Sequence, residues 1–480
     1  MIEFLFMTEK QLFGHMCVVS KAMGARAYMV GGYVRDQLLG TSTDKALQSK
    51  DIDIVVAGSG LAFAKNFDQH LKQAGSLVEF SDFDTARYIL PEFELEFAGA
   101  RTESYSETSR KPQVSPTTIE VDLSRRDFTV NAMAREICAR GLGTIIDPLH
   151  GQEDLEKKIL RTPLAPDDTF FDDPLRMLRA ARFAAQLDFT IDPGVYAAIV
   201  RNRERIQIIS AERIQEELMK LLATTKPSIG LWVLEKSGLM AEFLPEVSAL
   251  GGVEEAYGYS HKDNLTHTFM VVDNIALFSS KPLLRYAGLM HDIAKPQTKK
   301  FVRGRGWTFD MHEHLGKKLT HEIGRRLHMS RDDMKYVAHL VRWHLQPIAL
   351  MDEGITDSAV RRLMVNAGDS LNDLLILCRS DITTGNQNKK AQRLKNYDLL
   401  EARIAAVVEK DELHAFQSPV RGEEIMILCG LKPGPTVGKI KKAIEEAILE
   451  GEIPNEYEAA KAYFEKIKDK YLRSAEKWEI

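Results

Sequence analysis

The sequence predicts an α+β fold, a mixed strand-and-helix head carried on a long, all-α body. Three observations lead there. Short runs of β-branched residues alternate with helical stretches over roughly the first 145 of 480 residues. From Asp172 onward apolar residues recur at three- and four-residue spacing. No repeat of 20–50 residues and no low-complexity tract interrupts either part.

Taken in order, the strand-like runs of the head are AYMV at 27–30, DIDIVV at 51–56, ARYIL at 86–90, FELEFAGA at 93–100 and TTIEVDL at 117–123. TVNAMAREICAR, which follows, has helical composition. TESYSETSRKPQVSP at 102–116 is polar, with two prolines and four serines, and reads as a mobile loop. The body begins with two amphipathic helices, PLRMLRAARFAAQL at 174–187 and AERIQEELMKLLATT at 211–225. Helical patterns continue to the C-terminus, with breaks near Gly251–Gly252, Gly304–Gly306 and Pro433–Pro435.

Composition narrows the function classes. The chain is 44% hydrophobic and 28% charged, ordinary for a folded soluble protein. No apolar run approaches the roughly 20 residues that span a bilayer, and MIEFLFMTEK makes a poor signal peptide. Cys17, Cys138, Cys378 and Cys429 are scattered, as expected of reduced thiols in a cytoplasmic protein. A net charge of −5 argues against a protein that coats nucleic acid indiscriminately, and neither DNA nor membrane is an expected partner. The basic groups Lys389, Lys390, Arg393 and Lys395, and Lys439, Lys441 and Lys442, read most simply as solvated helix faces.

Asp51 and Asp53 carry the chemistry. At i and i+2 of a strand they point the same way, about 6.6 Å apart at the Cα. Two such carboxylates can converge on a pair of divalent ions. Exposed acidic pairs are common, so the signal gains its force from MVGGYVRD upstream. There Gly31 and Gly32 allow close approach of the backbone to a polyphosphate, and Arg35 follows. A second cluster, RRDFTVNA, holds Arg125, Arg126, Asp127 and Asn131. Arginine forks suit phosphate oxygens and a carboxylate suits a ribose hydroxyl; a plain helix cap would explain Asp127 but not the arginines. In the third cluster, FFDDPLR, Asp173 before Pro174 is an ordinary helix start. Yet Asp173 and Arg176 share one edge of that turn, an acceptor beside a donor that suits a base edge.

GGYVRD, DID, RTE, RRDFTVNAMA, DDPLRMLRAARFA and AERIQEELMKLL stand in the order typical of class II tRNA nucleotidyltransferases and bacterial poly(A) polymerases, and the chain resembles this family over residues 24 to 225. The resemblance implies a polymerase-beta-type nucleotidyltransferase head. It also implies magnesium held by Asp51 and Asp53, CTP and ATP as substrates, and the tRNA 3′ end as acceptor. Glu96 resembles the third catalytic carboxylate, with Glu94 and Glu103 as rivals. Gly31, Gly32 and Arg35 match the triphosphate turn, and Arg126, Asp127 and Asn131 the sugar and phosphate motif. Asp173 and Arg176 match the amino-acid template for the incoming base, Arg179 is a further nucleotide-binding residue, and Arg213 and Glu216 lie in the helix that braces the template. Residues 102–116 resemble the loop linked to the switch from C to A addition. Two departures stand out: Asp172 replaces the usual Glu, and the stretch from Gln37 to Lys50 is longer than usual.

The second half carries HKDNLTHTF, GLMHDIAKP, FDMHEHLGKK, LVRWHLQP and CRSDITTGN. One histidine alone would read as structural. In this order His267, His291, Asp292 and Asp381 resemble the ligands of HD-domain phosphohydrolases, and His312 and His344 the extra ligands of two-metal examples. Imidazole with carboxylate suits manganese, nickel, iron or zinc. The resemblance implies phosphodiesterase or phosphatase activity on 2′,3′-cyclic or terminal phosphates.

The expected organisation is a head at 1–150, a neck at 151–225, a helical segment at 226–258, an HD domain at 259–385 and an RNA-binding C-terminal part at 386–480. There, Gly434 before a helix suits an RNA phosphate. The expected function is template-independent CCA addition to tRNA. The alternatives are a poly(A) polymerase, an enzyme adding only CC or only A, and an HD phosphohydrolase whose head merely binds nucleotide.

Overall fold

The computed structural model describes residues 7–40, 51–106, 109–139, 141–252, 255–256, 259–260, 263–353, 356–411 and 418–473. The chain divides into two compact units, Met1–Ser248 and Ala249–Ile480.

The first unit is built on a seven-stranded mixed sheet. Its strands in chain order are β1 (Arg26–Val30), β2 (Asp51–Ala57), β3 (Ser76–Phe80), β4 (Thr85–Ile89), β5 (Glu94–Gly99), β8 (Ala134–Cys138) and β9 (Gly141–Ile146), with β6 (Arg101–Ser106) and β7 (Ser109–Pro116) set apart. The spatial order is β3-β4-β5-β2-β1-β8-β9. Only β2 and β5 run parallel, with Asp51 opposite Glu94 and Asp53 opposite Glu96.

Alternation along β2 sorts its side chains onto two faces. Ile52, Ile54 and Val56 enter a core with Phe63, Phe67 and Phe97. Val55 packs on the opposite face with Ile119 and Leu123. The Phe97 ring centroid lies 5.5 Å from that of Phe63 and 5.6 Å from that of Phe67, and burial of each such ring contributes about 1.5–3 kcal/mol. The first core face is covered by α1 (Glu9–Met23) and α3 (Gly60–His70). α1 starts at a Thr8–Gln11 capping box and stops at Gly24 in the left-handed region. α3 lies so close to β5 that a Cβ on Gly60 would fall 2.4 Å from the Ala98 carbonyl carbon. Between β1 and β2 sits the short α2 (Gly32–Leu38).

Three sequence expectations give way here. TTIEVDL is not a strand; Ile119–Ser124 is a helix, α4. Its Ile119 and Leu123, four apart, bury against the sheet and leave Val121 exposed, so helical spacing wins over alternation. TVNAMAREICAR is not a helix; a single 3₁₀ turn at Thr129–Asn131 leads into β8, which completes the sheet between β1 and β9. Pairing on both edges overrides its helical propensity. The expected mobile loop at 102–116 is a two-stranded antiparallel hairpin, β6 (Arg101–Ser106) with β7 (Ser109–Pro116). Its prolines are tolerated because this ribbon is a separate sheet with free edges. Residues 41–50, within the expected long loop, lie outside the described residues.

After the sheet come α5 (Pro166–Asp172), α6 (Leu175–Leu187) and α7 (Ala211–Leu222). α6 is expected from 174–187 and α7 from 211–225, and both form within two or three residues of those limits.

The second unit is helical. It contains α8 (Asn264–Ala276), α9 (Pro282–Met290), α10 (His312–Arg326), α11 (Arg331–Trp343), α12 (Leu371–Ser380) and the long α13 (Gln387–Asp411). The expected break at Gly304–Gly306 is the turn of a small hairpin in which Phe301 pairs with Trp307. The last three helices, α14 (Gly422–Cys429), α15 (Pro435–Leu449) and α16 (Tyr457–Leu472), share their own core around Ile425, Ile440, Ile444 and Phe464. Among the described residues no helix is long and apolar enough to cross a membrane.

Candidate functional sites

The first unit holds a cavity of about 560 Å³ whose lining joins the sheet to the helices that follow it. Asp51 and Asp53 line it from β2, Gly31, Gly32 and Arg35 from the turn into α2, and Arg126, Asp127 and Asn131 from the segment before β8. Asp173, Arg176 and Arg179 line it from the start of α6, and Arg213 from α7. All the predicted nucleotide-site residues thus meet at one place except Glu96 and Glu216.

Glu96 stands in register with Asp53 but is not part of the cavity wall. Partial burial and then the neighbouring Asp53 push its carboxyl above its ordinary value. Its rival Glu94 is drawn aside by an ion pair with Arg87 at 3.0 Å, and the side chain of Glu103 lies outside the described residues. Asp53 is open to the cavity, yet its walls displace water; that desolvation, and then Asp51, raise its carboxyl against the opposing pull of Arg126. A carboxyl that its own surroundings disfavour, with a second one beside it, has the character of a cation site.

Gly31 makes the turn work. Its φ of +70° belongs to glycine, and a Cβ there would meet Asp53 Oδ2 at 3.2 Å and Arg126 Nη1 at 3.4 Å. Gly31→Ala is therefore expected to strain the turn by about 1–3 kcal/mol and to cut kcat/KM for CTP and ATP at least tenfold in single-nucleotide incorporation kinetics. A variant with wild-type kinetics would show that the turn does not shape the site.

The arginines are held by a continuous network. Buried Arg35 donates to Asp36 at 2.8 Å and to Asn131 at 2.7 Å. Asn131 in turn donates to Asp127 at 3.1 Å, and Arg179 binds the other Asp127 oxygen at 2.7 Å. Burial opposes the charge of Asp127, but Arg179 and Asn131 outweigh it and hold the carboxyl down to about 2. Arg35 thus braces the wall through Nε and Nη1 while still lining the cavity. The Arg126 Nε is a buried donor without a hydrogen-bond partner.

Just before α6, Asp173 accepts from Leu175 N at 3.1 Å and from Arg213 at 2.9 Å. Asp173 is not the helix cap expected, since Pro174 takes the N-cap position of α6 without a side-chain cap; Asp173 instead holds Leu175 N with one oxygen and Arg213 with the other. Arg176 donates to the carbonyls of Thr169 and Arg125, at 3.3 and 2.6 Å. Glu216 instead pairs with Lys220 at 2.7 Å on the exposed face. The bracing carboxylate is buried Glu217, which takes Arg179 at 3.3 Å and Arg182 at 2.7 Å. Sequence reasoning missed Glu217, although its spacing from Ile214 and Leu221 places it on the apolar face of α7. Asp122, wholly buried and bonded to Arg125 and Arg126, was missed as well.

The second unit gathers all six predicted metal-binding residues. They form two groups, His267, His291 and Asp381, and Asp292, His312 and His344. The bridge is Asp292. Its Oδ2 lies 3.5 Å from His267 Nε2 and 3.2 Å from His291 Nε2; its Oδ1 lies 3.3 Å from His312 Nε2 and 4.0 Å from His344 Nε2. Asp381 Oδ1 closes the first group at 2.9 Å from His267 Nε2.

Helix ends explain the aim of the rings. His291 and His344 cap the C-termini of α9 and α11, and His312 opens α10. Each turns Nδ1 to the carbonyl three residues back, Gly288, Val341 and Phe309 respectively, at 2.7 to 2.8 Å. His267 Nδ1 contacts Thr383 Oγ1 at 2.7 Å. With Nδ1 engaged, every Nε2 faces inward, where it could serve a cation as ligand. The buried His291 Nε2 has no hydrogen-bond partner, as a metal-ligand nitrogen would. Burial opposes a proton on His291, but Asp292 and Asp381 outweigh it and push the imidazole up to about 10; burial and the neighbouring His291 hold His344 down to about 4. A mixed nitrogen and oxygen donor set with so much positive charge demand fits divalent cations.

Family models match in the same order as these parts: a Poly A polymerase head domain at residues 27–161, a probable RNA and SrmB binding site of polymerase A at 188–250, and an HD domain at 264–407. An A-adding tRNA nucleotidyltransferase of Deinococcus radiodurans is 35% identical over 72% of this chain and 78% of its own. A Multifunctional CCA protein of Chromobacterium violaceum is 33% identical over 80% of this chain and 90% of its own. Among solved structures, the Bacillus stearothermophilus CCA-adding enzyme in complex with CTP matches in fold. Its TM-score is 0.67 at 21% identity, covering 98% of this chain and 100% of that one. With the head cavity and the six-residue histidine–aspartate centre in place, the chain belongs to the tRNA nucleotidyltransferase family, in a form that carries an HD domain.

Proposed function

We propose that this chain builds and repairs the CCA end of tRNA from CTP and ATP, without a nucleic-acid template. The observation that carries the reading is one cavity with Asp51 and Asp53 on the sheet side and Asp173 and Arg176 on the helix side. Asp173 offers acceptor lone pairs and Arg176 retains unused donors. Cytosine and adenine both present an amino donor beside a ring-nitrogen acceptor, so one acceptor–donor pair suits either base, while uracil and guanine present the reverse. The network from Arg35 through Asp127 and Arg179 to Glu217 ties α6, at whose start that pair stands, to α2 and α7. Arg126 faces the triphosphate. The tRNA 3′ hydroxyl attacks the α-phosphate and pyrophosphate leaves. Magnesium, held by Asp51 and Asp53, would supply charge for the entering and departing oxygens. Positioning and preorganised charge carry the rest.

The proposed division of labour is transfer in the head at 1–150, base selection in the neck at 151–225 and a second centre at 259–385. RNA is held by 386–480, in the cytoplasm where tRNA and nucleotides meet, and 226–258 is a helical segment. In the second centre, His267, His291, Asp292, His312, His344 and Asp381 would hold manganese, nickel, iron or zinc and act on cyclic or terminal phosphates. Gly434, at the start of α15, lines a cavity of about 410 Å³ with Arg421 that suits an RNA phosphate.

A second reading has one specific support: the Deinococcus radiodurans relative is named for adding A alone. Transcripts lacking the last three, two or one nucleotides, or none, incubated with each nucleotide in turn, separate the cases. Addition of C, C and A followed by arrest is expected. Extension only of the transcript lacking its final A would establish the narrower activity, and an unlimited A tail would establish a poly(A) polymerase.

A further inference from the structure

We propose that Arg393 binds the terminal phosphomonoester of an RNA chain at the mouth of the histidine–aspartate centre. The proposal rests on the phosphohydrolase reading of that centre and names its substrate. A cavity of about 280 Å³ opens beside the centre, with His267 and Asp381 on its inner side and Lys295, Phe309 and Arg393 around it. The cations differ. Lys295 is already committed to Asp292 at 2.5 Å. Arg393, on α13, is exposed, and among the described residues no group pairs with its guanidinium. An uncompensated planar fork beside a metal-type centre suits a phosphate dianion.

The source of that phosphate is read from α13 itself. Lys389 and Lys390 precede Arg393 by four and three residues and so share its face. Among the described residues neither makes an ion pair. On α15 the comparable Lys441 and Lys442 lie 3.7 and 3.8 Å from Glu445 and Glu446, the pattern of a solvated face. A stripe of three unneutralised cations leading from the cavity fits the successive phosphates of a chain, for which a mononucleotide has no use. Phe309 gives the terminal nucleotide an apolar wall.

The test uses the full chain loaded with Mn²⁺ and measures binding by calorimetry. The probes are inorganic phosphate, a 3′-phosphorothioate mononucleotide, and an RNA trinucleotide ending in either a 3′-phosphorothioate or a 3′-hydroxyl. Arg393→Ala is expected to weaken every probe with a terminal phosphoryl group about 10- to 100-fold and to leave the hydroxyl-ended RNA unchanged. Arg393→Lys should recover only part of the loss. Lys389→Ala with Lys390→Ala should weaken the trinucleotide but not the mononucleotide. Metal content, measured by mass spectrometry, should stay at the wild-type level throughout. Equal binding by wild type and Arg393→Ala overturns the proposal while leaving the phosphohydrolase reading intact. Failure of the metal-loaded wild type to bind any phosphoryl probe overturns both. No effect of the lysine pair overturns RNA as the source.

Discussion

Asp53→Ala is expected to reduce incorporation of CTP and ATP onto a tRNA transcript by at least about 1000-fold while leaving the thermal unfolding midpoint unchanged or slightly higher. The two outcomes have one cause. Asp53 opens into the cavity, and desolvation, together with the neighbouring Asp51, raises its carboxyl. The folded chain therefore gains nothing from that charge, and its removal relieves repulsion against Asp51. A residue that harms its own fold yet sits at the floor of an arginine-walled cavity is explained by what it binds. Glu94→Ala is the matched control. It removes a carboxylate from the adjoining strand, opposite Asp51, but one already paired with Arg87, and incorporation should fall by less than about threefold. Glu96→Ala falls between them if Glu96 turns toward Asp53 on binding. Persistent incorporation in Asp53→Ala, or an equal collapse in Glu94→Ala, would falsify the assignment of the head cavity.

Much of this site was legible in the sequence because its chemistry is local. Asp51 and Asp53 share a face by the period of a strand, Gly31 marks a turn closed to other residues, and Asp173 and Arg176 share one helical turn. What could not be read was commitment. Arg35 stands in its motif, but that its Nε and Nη1 bond Asp36 and Asn131, the latter 96 residues away in sequence, is set only by the fold. Glu216 and Glu217 are adjacent and identical in type; only burial on α7 decides that Glu217 holds Arg179 and Arg182. The exchanged assignments at Ile119–Ser124 and Ala134–Cys138 have a similar origin. Both segments are short and mix apolar with charged residues, and their state is set by what they pack against: the sheet face for α4, two neighbouring strands for β8.

The histidine–aspartate centre offers the second large effect. Asp292→Asn is expected to remove metal from both halves of the centre and to abolish phosphate release from a model phosphomonoester, whereas His344→Ala should empty only the half it shares with His312. The asymmetry follows from Asp292, whose two oxygens face opposite groups: one toward His267 and His291, the other toward His312 and His344. Asn keeps the size of Asp but offers a single carbonyl oxygen and no charge, so it cannot bridge. It also leaves Lys295 without its carboxylate at 2.5 Å. The loss of a buried partner costs about 3–5 kcal/mol, so the helical unit should unfold at a lower temperature even without metal. Circular dichroism at the assay temperature separates this from simple unfolding, because helix content should be retained there while metal content falls. If Asp292→Asn and His344→Ala retained the same metal stoichiometry, the carboxylate would not bridge, and the centre would hold a single ion.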